Sequence, residues 1–256
     1  MTAICYATPI MDIIYLDNYF VAVNKPAGLL VHRSNIDRHE TEFAVQKTRN
    51  MLGQHVFPVH RLDKPTSGVL LFALEQRSAR KMGELFTNGE IKKTYTAIVR
   101  GYTEETGTIE HPLKERRDKM IPVKKRTQQS KKNAITSYRR LATADLPYSV
   151  SRHPSTRYSV LNISPVTGRR HQIRRHMKHV FHPIIGDTTY GDGRHNVFFR
   201  SQFSCHRLLL ASTSLVFNHP YTNLPTRITA PLDHDFSKVM AELGWGHLLE
   251  PDKRIF

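Results

Sequence analysis

The amino-acid sequence predicts an α+β fold in a single domain over residues 1–256, and three observations lead there. An uninterrupted apolar run, Val69 to Leu74, is bounded by turn signals, as suits a strand covered on both faces. Segments of helical period are interspersed with segments that alternate like strands. No internal repeat or long linker divides the 256 residues, a length that can bury a sizeable core.

In chain order, Ile13 to Tyr15 and Phe20 to Val23 are short apolar segments separated by Asp17 and Asn18, a hairpin pattern. Lys25 to Gly28 form a turn before Leu29, Leu30 and Val31. Phe43, Val45, Thr48 and Leu52 predict a helix over Glu40 to Leu52, with Gly53 as its stop signal. Pro65, Thr66, Ser67 and Gly68 then supply turn chemistry just before the apolar run, so Asp63 sits on a loop anchored to the core. Ala79, Met82 and Phe86 mark a helix over Gln76 to Asn88, ended at Asn88 and Gly89. Lys93 to Arg100 reads as a strand with Tyr95, Ala97 and Val99 on one face and Thr94, Thr96 and Ile98 on the other.

Further strands are predicted at Ala134 to Leu141 and Arg157 to Ser164. A helix starting near Thr167 and Gly168 carries Ile173, Met177 and Val180 on one face, with Arg170 and Arg174 four apart on a neighbouring one. His182 to Gly191 is a loop, Arg207 to Phe217 returns as one or two strands, and Phe236, Val239, Met240 and Leu243 form an amphipathic helix stopped by Gly244. Between Leu113 and Asn133 the chain is rich in cations and has no clear period. That stretch, about 113–133, reads as a basic appendage whose Lys124, Lys125 and Arg126 suit phosphate contacts.

The formal net charge is +16 and the sequence pI about 10.0, which points to a polyanionic partner, usually nucleic acid. Only Cys5 and Cys205 are present, with no CxxC and no Cys/His zinc spacing, so neither a disulfide framework nor a structural metal is indicated. Histidines 171, 176, 179 and 182 cluster in sequence, yet no carboxylate or cysteine completes a ligand set around them. No run approaches the roughly 20 apolar residues of a membrane span, and no leader pattern opens the chain. A soluble, cytoplasmic protein is the expectation.

Five stretches, in order, resemble one enzyme family. HRLDKPTSG at His60 to Gly68 is similar to the signature of the RluA-type pseudouridine synthases, and VNKPAGLLVH, KKTYTAIVRG, TGRRHQIRRH and HPIIGDTTYG match further motifs of that family at residues 23–32, 92–101, 167–176 and 182–191. The resemblance implies a large mixed, mainly antiparallel sheet with flanking helices and a central active-site cleft. It implies Asp63 as the catalytic carboxylate, Arg174 as its ion-pair partner and Tyr95 as a ring stacked on the uracil and taking part in removing the carbon 5 proton. Lys25, His60, Arg61, Thr66 and Ile173 would contact or enclose the substrate, with Arg61 filling the space left by an extruded uridine. The run VHRSNID at Val31 to Asp37 is most similar to members that modify tRNA and lack an S4-like N-terminal module, which implies a target in the lower T-stem, position 65 in tRNA nomenclature. Ribosomal RNA is the alternative substrate.

The resemblance implies a reaction with no net bond to water and no redox change, so no cofactor is expected, no metal is expected for want of a ligand set, and the enzyme is expected to act as a monomer. Three routes remain open to the carboxylate: attack on the anomeric carbon, addition at carbon 6 of the base, or removal of a sugar proton to give a glycal. A glycosidic hydrolase is a rival that usually needs two acids. No second Asp or Glu is expected beside Asp63 in the matched motifs. A non-catalytic RNA-binding protein is the other rival.

Overall fold

The computed structural model describes residues 11–33, 40–114 and 130–249. In chain order the elements are β1 (Ile13–Leu16), β2 (Phe20–Lys25), α1 (Ala44–Leu52), β3 (Phe57–Pro58), β4 (Ser67–Ala73), α2 (Gln76–Asn88), β5 (Lys92–Arg100), β6 (Thr106–Glu110), β7 (Leu113–Lys114), β8 (Lys131–Lys132), β9 (Ile135–Leu146), β10 (Thr156–Pro165), α3 (Gln172–His179), α4 (Gly193–Phe203), β11 (Leu210–Asn218), β12 (Pro225–Thr229) and α5 (His234–Glu242). Ten strands form one sheet in the order β1-β2-β4-β11-β5-β10-β9-β6, with β12 on β11 and β3 on β4. Every pair in it is antiparallel except β4 with β11. The mainly antiparallel sheet with flanking helices is therefore as the sequence predicts.

The central strand β4 explains how one sheet carries two cores. All seven of its residues are buried, and the pleat sends Val69, Leu71 and Ala73 to one face and Leu70 and Phe72 to the other. On the first face they meet Met82 of α2; on the second, Ala44 of α1. Truncating Leu70 to alanine there should cost about 2–5 kcal/mol. Further along the sheet the split repeats, with Ile98, Tyr158 and Val160 packed on α4 and α5, and Ala97, Val99 and Leu161 packed on α3. Tyr95 of β5 packs against both clusters of the second face.

The local rules behind these elements are simple. Asp17 Oδ1 accepts from the backbone N–H groups of Tyr19 and Phe20, both at 2.7 Å, and so closes the turn between β1 and β2. Gly89 ends α2 with φ +75°, a conformation that favours glycine. Helix α1 starts four residues later than predicted, because Phe43 is extended and bridges Leu30. Helix α3 also starts later, at Gln172. The side-chain oxygen of Gln172 accepts from Thr167 Oγ1 at 2.7 Å and from the Arg169 N–H at 2.9 Å, which holds residues 167–171 as a loop. Arg170 thus lies before the helix and does not share a helical face with Arg174. Strand β9 runs five residues beyond the predicted Leu141 because β10 pairs with it out to Leu146.

The basic stretch enters and leaves the body through β7 and β8, which pair antiparallel with each other, and Arg175 of α3 donates to the Lys114 carbonyl at 3.1 Å. Lys124, Lys125 and Arg126 lie outside the described residues.

Candidate active site

The loop that carries Asp63 is fixed by its own turn and by the sheet behind it. The Thr66 N–H donates to the Asp63 carbonyl at 3.0 Å, and Thr66 and Ser67 are already buried. Gly68 follows with φ +106°, in the one parallel pairing of the sheet, where Ser67 and Gly68 face Ala211 and Ser212. A side chain at Gly68 would run into the Ser212 backbone, so the close approach of β4 and β11 requires glycine. One extra residue, Thr213, sits in β11 between the pairs Ser212–Tyr95 and Ser214–Thr94, a bulge beside the same loop.

A cavity of about 610 Å³ opens in front of this loop. His60, Arg61, Asp63, Thr66, Tyr95, Ile173 and Arg174, all singled out in the sequence, line it together although they span more than 110 positions of the chain. Arg61 is exposed, whereas Thr66, Ile173 and Arg174 are buried. Asp63 and Arg174 face each other, with the Arg174 Nη1 donating to Asp63 Oδ2 at 3.4 Å.

The stronger grip on Arg174 comes from an acid that the sequence reading does not include. Asp187 accepts from the Arg174 Nε at 2.7 Å and from Nη2 at 2.8 Å, a bidentate pair whose side chains are 4 % and 1 % exposed. Burial disfavours both charges, but the mutual hydrogen bonds and charge outweigh it: Arg174 is held above its ordinary pKa and Asp187 below its own. Backbone N–H groups of Thr189 and Tyr190 also donate to Asp187, each at 2.9 Å. The expectation that no second acid accompanies Asp63 is therefore corrected, since Asp187 lies within HPIIGDTTYG. Its oxygens are committed to Arg174 and the loop backbone, so it does not provide the second free carboxylate of a hydrolase.

His171 is the other unforeseen neighbour. It precedes α3 with φ 54°, uncommon for a residue with a side chain. Its Nδ1 lies 3.1 Å from the Tyr190 hydroxyl and its Nε2 3.7 Å from Asp63 Oδ1. Burial lowers its pKa against the pull of Asp63, and Arg174 and Arg170 add to the lowering. The positive φ has no sequence signature in a histidine.

The remaining lining residues are held by their surroundings. Tyr95 has its hydroxyl pushed up to about 12, first by burial and also by the Asp63 charge, so the phenol keeps its proton at neutral pH. His60 stacks on Phe86 with ring centroids 4.9 Å apart, and its Nε2 accepts from the Leu71 N–H at 2.9 Å. Burial, helped by the Lys93 charge, pushes its pKa down to about 3. A neutral ring that splints the loop to β4 is a structural duty added to its place on the cavity wall. Lys93 lines the cavity as well, and burial lowers its pKa.

Lys25 requires a correction, because it does not line the cavity. Its side chain is fully buried, and its Nζ donates to the carbonyls of Pro26 at 2.9 Å, Leu29 at 2.8 Å and Lys64 at 3.2 Å. The ammonium ties the turn after β2 to the residue next to Asp63. Burial, with the Arg207 charge adding to it, pushes Lys25 down to about 7.

Among the described residues no group of three or more His, Cys, Asp or Glu is placed to hold a metal ion. His176 is engaged with Thr136 Oγ1 and the His111 carbonyl, and His182 with the Arg100 carbonyl. No helix among the described residues is long and apolar enough to cross a membrane.

Residues 19–179, which contain both the Asp63 loop and Arg174, match the family model of RNA pseudouridylate synthase. The chain belongs to the RNA pseudouridylate synthase family. It is 51 % identical to tRNA pseudouridine synthase C of Vibrio cholerae over 92 % of this chain and 96 % of that one. It is 48 % identical to the Haemophilus influenzae protein of the same name, over 92 % of this chain and 98 % of that one. Among solved structures, human RNA Pseudouridylate Synthase Domain Containing 4 superposes with a TM-score of 0.67 at 25 % identity, covering 91 % of this chain and 92 % of that chain. Human RNA Pseudouridylate Synthase Domain Containing 1 gives 0.66 at 22 % identity, over 87 % and 84 %, a likeness of fold. As an RNA pseudouridylate synthase, the protein is an isomerase.

Proposed function

We propose that the protein converts a uridine of tRNA to pseudouridine, at position 65 in the lower T-stem, with Asp63 as the reacting carboxylate. The observation that supports this most is the Asp63 side chain at the cavity wall, facing a guanidinium that Asp187 holds rigidly. The bond between the anomeric carbon and N1 breaks, a bond from that carbon to carbon 5 forms, and the carbon 5 proton leaves as N1 gains one. Atoms and electrons balance without water, oxidant or cofactor. Asp63 opens the sequence by attack on the sugar or base or by removing a sugar proton. Arg174 keeps its carboxylate aimed, and Ile173 and Tyr95 give the detached uracil an apolar wall and a ring to stack on.

A uridine in a stem must first be extruded, at a cost of a few kcal/mol. Arg61, exposed at the cavity mouth, suits the vacated stack or the flanking phosphate. Lys124, Lys125 and Arg126 would add backbone contacts, in a cytoplasmic monomer. Incubating the protein with unmodified tRNA and ribosomal RNA transcripts, then mapping pseudouridine by chemical labelling, tests this directly. A single labelled position in the T-stem is the expected result. Label only in ribosomal RNA would transfer the activity to that substrate, and release of free uracil would replace the isomerase by a hydrolase.

A further inference from the structure

A second cavity, of about 630 Å³, lies at the other end of the central strands. Three segments wall it: the end of β5 with Arg100, residues 151–157 leading into β10, and the first turn of α4 with Arg194 and His195. Among the described residues, four arginines, 100, 152, 157 and 194, line it and no carboxylate does. Two acids stand behind them. Asp192 takes Arg100 at 2.6 Å and Arg194 at 3.6 Å, and Asp145 takes Arg157 at 3.3 Å. Arg152 is exposed and makes no hydrogen bond or ion pair with a described residue. Four guanidiniums against two carboxylates leave the concavity positive.

The two most available partnered guanidiniums, those of Arg157 and Arg194, are 59 % and 66 % exposed. Exposed ion pairs of that kind contribute little to stability, so folding gives small reason to gather these side chains in one hollow. Aromatic surface adjoins it. Arg157 lies over the ring of exposed Tyr102, 5.2 Å from its centroid, and Arg100 donates to the carbonyl of Phe181, a residue that is 79 % exposed. Guanidiniums interleaved with exposed rings suit a nucleic-acid backbone with its bases better than a free anion.

We propose that this cavity binds backbone phosphate of the same RNA whose uridine enters the Asp63 cavity, at a separate place on that RNA. The inference rests on the proposed RNA isomerase function. Along β5 the two cavities are five residues apart, from Tyr95 to Arg100, or about 17 Å. One nucleotide cannot fill both, and α4, which walls this cavity, packs on the sheet face opposite α3, so only an RNA that folds round the end of the strands engages both. The second contact would favour an intact folded RNA over an isolated stem-loop that displays the same uridine.

The test is the triple variant Arg152→Gln, Arg157→Gln, Arg194→Gln, none of which touches the Asp63 cavity. For intact tRNA the Kd at low salt should rise about tenfold or more, and the salt dependence should flatten by roughly one unit per arginine in contact. The rate at saturating RNA should stay at the wild-type value, and a short stem-loop around the target should bind as before. Equal Kd and salt slope for variant and wild type would overturn the proposal. So would an equal loss on the short stem-loop, which means bulk charge alone, or loss of inorganic phosphate binding with RNA binding intact, which means a free-anion site. If the triple variant misfolds, Arg152→Glu carries the same comparison, since Arg152 has no protein partner among the described residues. Failure of the wild type to form pseudouridine in any RNA sinks the isomerase reading separately, and leaves the binding comparison to be read on its own.

Discussion

The two ends of the central strands handle charge in opposite ways. At the Asp63 end, Arg174 is buried, bidentate on Asp187, paired with Asp63 and placed 5.2 Å over the Tyr190 ring. At the Arg152 end, Arg152, Arg157 and Arg194 are exposed, Arg100 is half-buried, and each rests on one acid or none. The first arrangement costs desolvation and returns position, because a guanidinium with several partners has one place to be. The second costs little and returns attraction that reaches outward and weakens with salt. Chemistry on one base needs the former, and holding a long polyanion needs the latter.

The sharpest break in that comparison comes from the carboxylate itself. Asp63→Asn should reduce turnover by about 10⁴-fold or more while leaving the Kd for tRNA and the melting temperature near wild type. Single-turnover assays with labelled tRNA read the first quantity and filter binding the second. Substantial product from the purified variant would remove Asp63 from the chemistry.

Next in size is the pair that holds the pocket. Asp187→Asn leaves Arg174 charged, buried and short of its main partner, and should cost about 3–5 kcal/mol in urea unfolding, together with a large loss of turnover. A cost below about 1 kcal/mol, the level of a surface pair, would make the two ends of the strands alike. Arg174→Lys should lie close to Asp187→Asn, because an ammonium cannot reproduce the two-point contact.

A smaller effect is expected at His171. Asparagine tolerates the same left-handed backbone, so His171→Asn keeps the loop and removes the ring beside Asp63. Turnover should fall about 10- to 100-fold with KM and stability little changed, and kcat/KM should lose an acid limb that in the wild type lies below the ordinary histidine range. An unchanged pH profile would reduce His171 to a loop residue.

Much of this was legible in the sequence, and the exceptions share a cause. Helix α2 is read to the residue because Ala79, Met82 and Phe86 face one way and Gly89 stops the turn. Strand β4 is read from its apolar run. Helix α4 is missed because Val197 is exposed while Phe199 and Phe203 are buried, which blurs the helical period around an aromatic cluster. Lys25 looks like a surface turn residue, yet it is buried with its ammonium on two carbonyls of its own turn and on the distant carbonyl of Lys64. Asp187 looks like an ordinary loop acid, and only the fold reveals that it braces Arg174. Motif spacing reports which side chains meet a substrate. It is silent on those that hold other side chains still, since their partners are chosen by tertiary contact.

The smallest effect at neutral pH concerns His60, the ring that splints the Asp63 loop to β4. Its pKa is about 3 in the folded protein against about 6.5 when unfolded, so between those values the unfolded chain binds the extra proton. Stability is therefore full above about pH 6.5 and falls as the pH drops toward 3. His176 and His195, also lowered by burial, add to the fall with the same sign, and Asp187 adds its own share only at pH values below the ordinary carboxylate range. In His60→Gln the amide oxygen can still accept from the Leu71 N–H. Stability at pH 7 should then change modestly, while the slope between about pH 4.5 and 5.5 should become shallower by about 1.4 kcal/mol per pH unit, one proton's worth. Urea unfolding at several pH values measures that slope. If wild type and variant share it, the histidine is protonated in the folded protein over that range, and burial against Phe86 and β4 does not hold its ring neutral there.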